Sequence, residues 1–320
     1  MVFICTAITF NGRQRYFGRN LDLEYVYGEN VVVTPRNFPL EFRFIETLKS
    51  HYAMIGMALV KNDYPLYFDA MNEYGVCMAG LNFVGNAKYS PPTHNKINIT
   101  HFELIPYLLG LCKTADEALE KLKEINLTNT QFSEELEVSQ LHWLLSDREK
   151  SYTLEWTENG GRFYENPYGV LTNNPPFDFH LENLKSYINL TTEPPSCNFS
   201  KSVEITANSK GAGAQGLPGD WTSQSRFIRA TFVKLNSNTK NTNDREQFFR
   251  ILDSVAMPDG CVVTADGCAR TQYTSCCDMN DCVYHFCTYD NRTIRSIALR
   301  DFDVNSTALG ISSDKGKSHS

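Results

Sequence analysis

The sequence predicts an α+β fold in which helix pairs cover two antiparallel sheets. Three observations carry this expectation. Strand-like runs joined by short Asn- or Gly-bearing turns open, divide and close the chain, the mark of antiparallel hairpins. Two helix pairs interrupt them, and hairpin sheets bury both faces only when something covers them. No Gly-rich loop follows a strand and no strand–helix alternation occurs, which argues against a nucleotide-binding parallel sheet.

Each element follows from its residues. Residues 4–10 are apolar and stop at Asn11-Gly12, and 14–19 return. Asn-Gly suits a two-residue type I′ turn, because both central residues need φ > 0. That turn sets Cys5 opposite Gly18, with Arg19 beside it and Asp22 just past the strand end. Residues 31–34 are β-branched and stop at Pro35. Residues 52–60 suit a buried strand, and 66–71 and 76–83 flank the turn Asn72-Glu73-Tyr74-Gly75. Residues 102–112 are apolar all round and predict a buried helix, with Pro106 in its first turn or at a kink. Thr114-Ala115-Asp116-Glu117 is a capping box that opens an amphipathic helix to 125. Strands resume at 140–146 and 151–157, and Asn159-Gly160 turns the chain into 162–165. Residues 169–172 end at the rigid turn Asn173-Asn174-Pro175-Pro176. Asp178 caps a helix to 190. Residues 191–220 are rich in Thr, Pro, Ser and Gly and form a surface loop. Helices at 223–235 and 245–256 and strands at 273–276, 283–289 and 294–299 complete the fold.

Composition bounds the function. The 320 residues are 42% hydrophobic and 21% charged, ordinary for a globular protein with a large core. A net charge of −7 argues against nucleic acid as a partner. No apolar run approaches the ~20 residues of a membrane helix. The first residues lack a basic segment, so a cytoplasmic location is expected. The ten cysteines show no Cys-x2-Cys pair, so free thiols are expected, with no metal and no cofactor. Adjacent Cys276 and Cys277 should point to opposite faces of a strand.

Cys5 is the candidate nucleophile, although a cysteine on an apolar strand also suits a core. A thiol is only slightly ionised at neutral pH and needs a base. The seven histidines carry no partner motif. A free α-amine would serve, which requires Cys5 to be the first residue of the mature chain.

The motifs Cys5-Thr6-Ala7-Ile8-Thr9, Phe17-Gly18-Arg19-Asn20-Leu21-Asp22 and Thr34-Pro35-Arg36-Asn37 open a collinear series. It continues through Asp63-Tyr64-Pro65, Met71-Asn72-Glu73-Tyr74-Gly75, Ala79-Gly80-Leu81-Asn82-Phe83 and Leu141-His142-Trp143. It ends with Gly169-Val170-Leu171-Thr172-Asn173-Asn174-Pro175, Gly216-Leu217-Pro218-Gly219-Asp220 and Ser225-Arg226-Phe227. Over nearly the whole chain this resembles the choloylglycine hydrolases, which include bile salt hydrolases and penicillin V acylases of the N-terminal-nucleophile type. The resemblance implies a four-layer αββα sandwich and hydrolysis of an amide between an acyl group and a small amine. It implies Cys5 as nucleophile, its α-amine as base and Asp22 as the partner of that amine. It places Arg19 and Arg226 beside the thiol and makes Asn82 and Asn173 oxyanion donors. It also implies a homotetramer.

The chain departs from the family pattern in carrying residues 1–4 before Cys5. The expectation is that 1–4 are removed, that 5–311 form one hydrolase domain and that 312–320 are a disordered tail. The resemblance points to conjugated bile acids as substrate, because Asn82 matches the bile salt hydrolases where penicillin V acylases tend to carry Tyr. Leu21, Tyr25, Tyr27, Ala58, Tyr64, Leu66, Phe83, Leu136 and Val138 are the residues suited to an apolar steroid cleft. Lys61 is unusual among them and contacts either a polar substrate edge or solvent. The alternatives are a penicillin V or N-acyl-homoserine-lactone acylase, and a relative that binds acyl-amides without cleaving them because Cys5 is blocked.

Overall fold

The computed structural model describes residues 4–312. The proposed removal of 1–4 and the tail expected at 312–320 fall almost wholly outside them. Ser312 is described, and its N–H still bonds the Val31 carbonyl at 3.0 Å.

The strands of the first half are β1 Ile4–Asn11, β2 Arg15–Leu23, β3 Asn30–Thr34, β4 Met54–Lys61, β5 Tyr64–Asn72, β6 Cys77–Asn82, β7 Ile97–Thr100 and β8 Ile125–Thr128. Those of the second half are β9 Leu141–Ser146, β10 Ser151–Thr157, β11 Gly160–Glu165, β12 Val170–Leu171, β13 Val262–Thr264, β14 Gly267–Asp278, β15 Val283–Thr288, β16 Arg295–Ala298 and β17 Gly310–Ile311. The helices are α1 Leu104–Leu111, α2 Ala115–Leu122, α3 Phe177–Leu184, α4 Ser223–Asn236 and α5 Asp244–Asp253. One sheet runs β12-β1-β2-β14-β15-β16, with β13 on β14. The other runs β11-β10-β9-β6-β5-β4-β3-β17. All pairings in both are antiparallel. The fold is the four-layer sandwich. α4 and α5 cover the first sheet and α1 covers the second, with α2 packed on α1. One apolar core fills the space between the sheets and under α4 and α5, and a second lies between the β4–β6 sheet and α1 and α2.

Three expectations are corrected. The β1–β2 loop is Gly12-Arg13-Gln14, not a two-residue Asn-Gly turn. Asp244, the first residue of α5, accepts the N–H groups of Arg13 and, at 3.3 Å, Gln14, and Gly12 N–H closes on the Gln14 carbonyl at 3.0 Å. Cys5 therefore lies opposite Leu21, not Gly18. The helix expected to 125 stops at Leu122, and residues 125–128 pair in parallel with β7. Asp178 is not the cap of its helix. Pro176 holds that position, and the Asp178 carboxylate takes the Phe179 N–H at 2.8 Å.

Other local signals hold. Thr114 Oγ1 accepts the Glu117 N–H at 3.1 Å, although the capping box is only half formed, because the Glu117 carboxylate takes the Lys113 N–H at 2.7 Å instead of that of Thr114. Pro106 sits in the first turn of α1, where a missing N–H costs no helical bond. Gly75 adopts φ +80°, as a tight turn requires. Cys276 and Cys277 pair with His285 and Tyr284 and face opposite sides of the sheet. All ten cysteines are unbonded thiols.

Candidate active site

Cys5 sits in β1, between β12 and β2. Its partner Leu21 and the next same-face residue, Arg19, share its side of the sheet, which looks toward the other sheet. Arg19 Nη2 donates to Cys5 Sγ at 2.5 Å. Its Nη1 spans to the second sheet and donates to the carbonyls of Phe68 at 3.1 Å and Gly80 at 2.6 Å. The guanidinium is thus fixed by backbone and aimed at sulfur. Burial opposes its charge, but Cys5, Tyr273, Asp69 and Asp22 together hold its pKa above the ordinary value.

The backbone of Cys5 meets a second group of residues. Its N–H donates to Asn173 Oδ1 at 2.8 Å. Arg226 Nη2 donates to the same Asn173 oxygen at 2.7 Å, and Nη1 reaches the Cys5 carbonyl and Thr6 Oγ1. Asn173 Nδ2 donates to the Asn82 carbonyl at 3.0 Å. Asn173 is itself held by Ser223 Oγ on its N–H and by His180 Nε2 on its carbonyl, at 2.8 and 2.9 Å.

Asp22 lies on the helix-facing side, opposite Ile4. Thr271 Oγ1 donates to its Oδ1 at 2.5 Å, while the buried Oδ2 has no hydrogen-bond partner among the described residues. Burial raises the Asp22 carboxyl to about 6, against the pull of Arg226, Thr271 and Arg19. Burial also raises the Cys5 thiol, with Arg19 pulling it down.

A cleft of about 660 Å³ opens over Cys5, Arg19 and Asn82. Of the residues expected on its wall, Leu21, Tyr25, Tyr27, Leu66, Leu136 and Val138 are there. Three are not. Ala58 points to the α1 side of its sheet, as Met54 and Val60 do, because β4 alternates regularly and Ile55 and Met57 take the inward face. Tyr64 packs behind the cleft, with ring centroids 6.1 Å from Phe102 and 6.0 Å from Phe132. Phe83 is buried and stacked on His142 at 4.4 Å. Lys61 forms an ion pair with Glu135 of the cleft rim. A second cleft, about 570 Å³, lies on the other side of Asn82 and has Ile4 in its wall.

A model of the linear amide C–N hydrolases, choloylglycine hydrolase family, matches residues 5–312. The chain belongs to the choloylglycine hydrolase family. This family member is 48% identical over 309 residues to a bile salt hydrolase/transferase of Lactiplantibacillus plantarum, covering 96% of this chain and 95% of that one. It is 36% identical to a conjugated bile acid hydrolase of Lactobacillus acidophilus, covering 96% and 99%. Among solved structures, a cysteine-to-alanine variant of the conjugated bile acid hydrolase of Clostridium perfringens superposes with a TM-score of 0.90 at 34% identity, covering 96% of each chain. A penicillin V acylase of Agrobacterium tumefaciens shares the fold, with a TM-score of 0.72 at 21% identity over 95% of this chain and 90% of that one.

Within this choloylglycine hydrolase, sequence reasoning missed several groups around the site. Phe68, Phe102 and Phe132 line the cleft. Arg43 braces the last two from behind, its guanidinium 5.7 and 5.4 Å from their centroids. Phe132 alone carried a signal, as an aromatic in a polar loop. Thr271, Ser223 and His180 had none, because each meets the site only through long-range packing. Chemically, the family member sets a thiol, a fixed guanidinium and Asn82 on the wall of an apolar cleft, with Asn173 on the wall of the second cleft. A buried carboxylate, Asp22, with one unpaired oxygen lies on the helix-facing side of the sheet. Among the described residues no group of three or more His, Cys, Asp or Glu could hold a metal ion.

Proposed function

We propose that this protein is a bile salt hydrolase that cleaves the amide of glycine- or taurine-conjugated bile acids, with Cys5 as nucleophile. The observation that carries this is the position of Cys5 Sγ, at the foot of an apolar-walled cleft and 2.5 Å from Arg19 Nη2. The names of the relatives point to the same substrate class.

Once Cys5 is terminal, its α-amine takes the thiol proton. The thiolate attacks the amide carbon, a C–S bond forms, and the carbonyl oxygen becomes an oxyanion. Asn82 and Asn173 donate to that oxyanion, where one lost donor costs about 10²–10³ in rate. Collapse breaks the C–N bond, and the ammonium of Cys5 returns its proton to the departing amine. Water, deprotonated by the same amine, then cleaves the thioester and frees the acid. Asp22 receives the ammonium on Oδ2, the buried oxygen that lacks a partner. Arg226 holds the Cys5 carbonyl and Asn173 Oδ1, so the strand end stays put through both steps.

With Ile4 attached, the nitrogen of Cys5 is a peptide amide and cannot be a base. Processing before Cys5 is therefore part of this proposal. The cytoplasmic location and the tetramer belong to it as well, and sedimentation of the purified protein checks the second. Among the described residues no helix is long and apolar enough to cross a membrane.

The test is hydrolysis of glycocholate, taurocholate and penicillin V by protein that begins at Cys5. Amine release from a bile conjugate faster than penicillin V turnover is expected. The reverse order replaces the substrate assignment with an acylase, and steroid binding without amine release replaces it with a binding protein.

A further inference from the structure

Asp69 is a carboxylate with no exposure to solvent, set between the two sheets, and none of the steps above uses it. It comes from β5 in one sheet, and its partners come from the other. Tyr273 Oη donates to Oδ1 at 2.6 Å and Tyr284 Oη to Oδ2 at 2.7 Å. The Ser275 hydroxyl also bonds it. The same hydroxyl oxygen accepts the Arg19 N–H at 3.2 Å.

Two β-bulges make this cluster. In β14 the pairing slips at Gln272, so Thr271 lies opposite Asp22 on the helix-facing side while Tyr273 lies opposite Leu21 and points inward. In β5 the pairing slips at Phe68, between the pairs Met57–Asp69 and Ala58–Tyr67. The Phe68 carbonyl accepts Arg19 Nη1 at 3.1 Å. One bulge thus serves Asp22 and Asp69 together, and the other seats the guanidinium that donates to Cys5 Sγ.

Arg19 is buried, and a buried charge without a counter-charge is costly. The groups that favour its charge are Cys5, the Tyr273 phenol, Asp69 and Asp22. Cys5 contributes only as a thiolate, because the sulfur of a thioester is neutral. Asp22 is shared with Arg226 on the far side of the sheet. We propose that Asp69, clasped by Tyr273 and Tyr284, is a positioning residue that keeps the charge of Arg19 compensated while the Cys5 sulfur is acylated. This rests on Cys5 being the nucleophile.

The neighbouring groups are few. Cys5 faces Arg19, Asp22 and Arg226. Asp69 faces Arg19, the two tyrosines and Ser275, with the Cys77 and Cys277 thiols nearby. Glu29 acts on Tyr273. Removing the charge of Asp69 therefore leaves Arg19 to favour thiolate over thioester.

The experiment compares wild type with Asp69→Asn, Tyr273→Phe and Tyr284→Phe, all beginning at Cys5. Two quantities are read: the pH dependence of Cys5 alkylation by iodoacetamide, mapped by mass spectrometry, and kcat/KM for glycocholate. Asp69→Asn is expected to lower the alkylation midpoint by about one pH unit, so alkylation below it is about tenfold faster. In the same variant kcat/KM is expected to fall about tenfold, because the thioester is disfavoured. The phenylalanine variants should shift the midpoint the same way by less, since each removes one donor from the carboxylate. A loosened core would relieve the burial that raises the Cys5 thiol and so would also speed alkylation. Urea unfolding of each variant is therefore read beside the two quantities, and a shifted midpoint that appears only with a loss of stability overturns the proposal. An unchanged midpoint in Asp69→Asn, or in both phenylalanine variants if Asp69→Asn does not fold, overturns the proposal, as does a parallel fall of alkylation and turnover. Retained hydrolysis in Cys5→Ala would instead remove the nucleophile assignment, and it is read without any Asp69 variant.

Discussion

Burial keeps the Cys5 thiol protonated at neutral pH, and the hydrogen bond to its sulfur comes from Arg19, which is no base. In the proposed mechanism a terminal amine supplies what the pocket lacks. N-terminal sequencing of active protein is expected to begin at Cys5, and turnover by protein that keeps Ile4 would overturn the amine-base mechanism. Asp22 adds a pH signature. Its carboxyl, raised to about 6 by burial, must be ionised to hold an ammonium. The kcat/KM for a bile conjugate should therefore show an acid limb at or below about pH 6, because the ammonium of a terminal Cys5 adds to the pull of Arg226 on this carboxyl. Arg226→Ala removes the strongest opposing charge, so the acid limb should move to higher pH. A pH–rate profile of both proteins checks this, and an unmoved limb would assign it to another group. The sign for stability is the reverse of that for activity. A carboxyl raised in the folded state stabilises the fold below its unfolded value of 3.8, and that contribution is lost as pH rises through about 6. The fold thus carries Asp22 at a cost where the enzyme works.

The β1–β2 hairpin shows what an element owes to its surroundings. Its existence was legible in two strand-like runs around Asn11-Gly12, but its register was not. A two-residue turn would have placed Cys5 on the same face as Asp22 and opposite to Arg19. The observed register is offset by an odd number of residues, which exchanges the two faces and puts Arg19 with Cys5. The deciding residue is Asp244, from a helix far along the chain, and no local pattern announces it. The partner strand is equally distant. Gly18 lies so close to β14 that a Cβ would fall 2.0 Å from the Ser275 carbonyl oxygen. That contact is with backbone and cannot be relieved by a rotamer change. Gly18→Ala should destabilise the protein by about 3 kcal/mol or more in urea unfolding. It should also lower kcat/KM in the surviving fold, because Arg19 is the next residue. A loss below about 1 kcal/mol would mean that β2 and β14 separate easily.

At the scale of the whole molecule, the order of hairpins and helix pairs was legible because periodicity, caps and turn residues are local. The order of strands within each sheet was not. β2 lies against β14 and β6 against β9, and these pairings set where Asp22 meets Thr271 and where Gly80 meets Arg19. Ala58 was misplaced because which face of β4 looks into the cleft depends on the sheet packed against it, which alternation within the strand does not reveal. The resulting architecture gives its two cores different duties. The core between the sheets contains Cys5 and surrounds Arg19, so its packing is also the alignment of the site. The core under α1 and α2 backs the second sheet from the far side. Leu122, buried on α2, belongs to this second core and lines neither cleft. Leu122→Ala should cost about 2–5 kcal/mol of stability, the range for a large-to-small core change. At 25 °C, well below unfolding, its kcat/KM should stay within about twofold of wild type, because no strand that carries a reacting group moves. Denaturant unfolding and steady-state kinetics on the same sample decide it. A fall in kcat/KM that tracks the loss of stability would show that the outer core also tunes the site, through β5 and the Phe68 carbonyl that anchors Arg19.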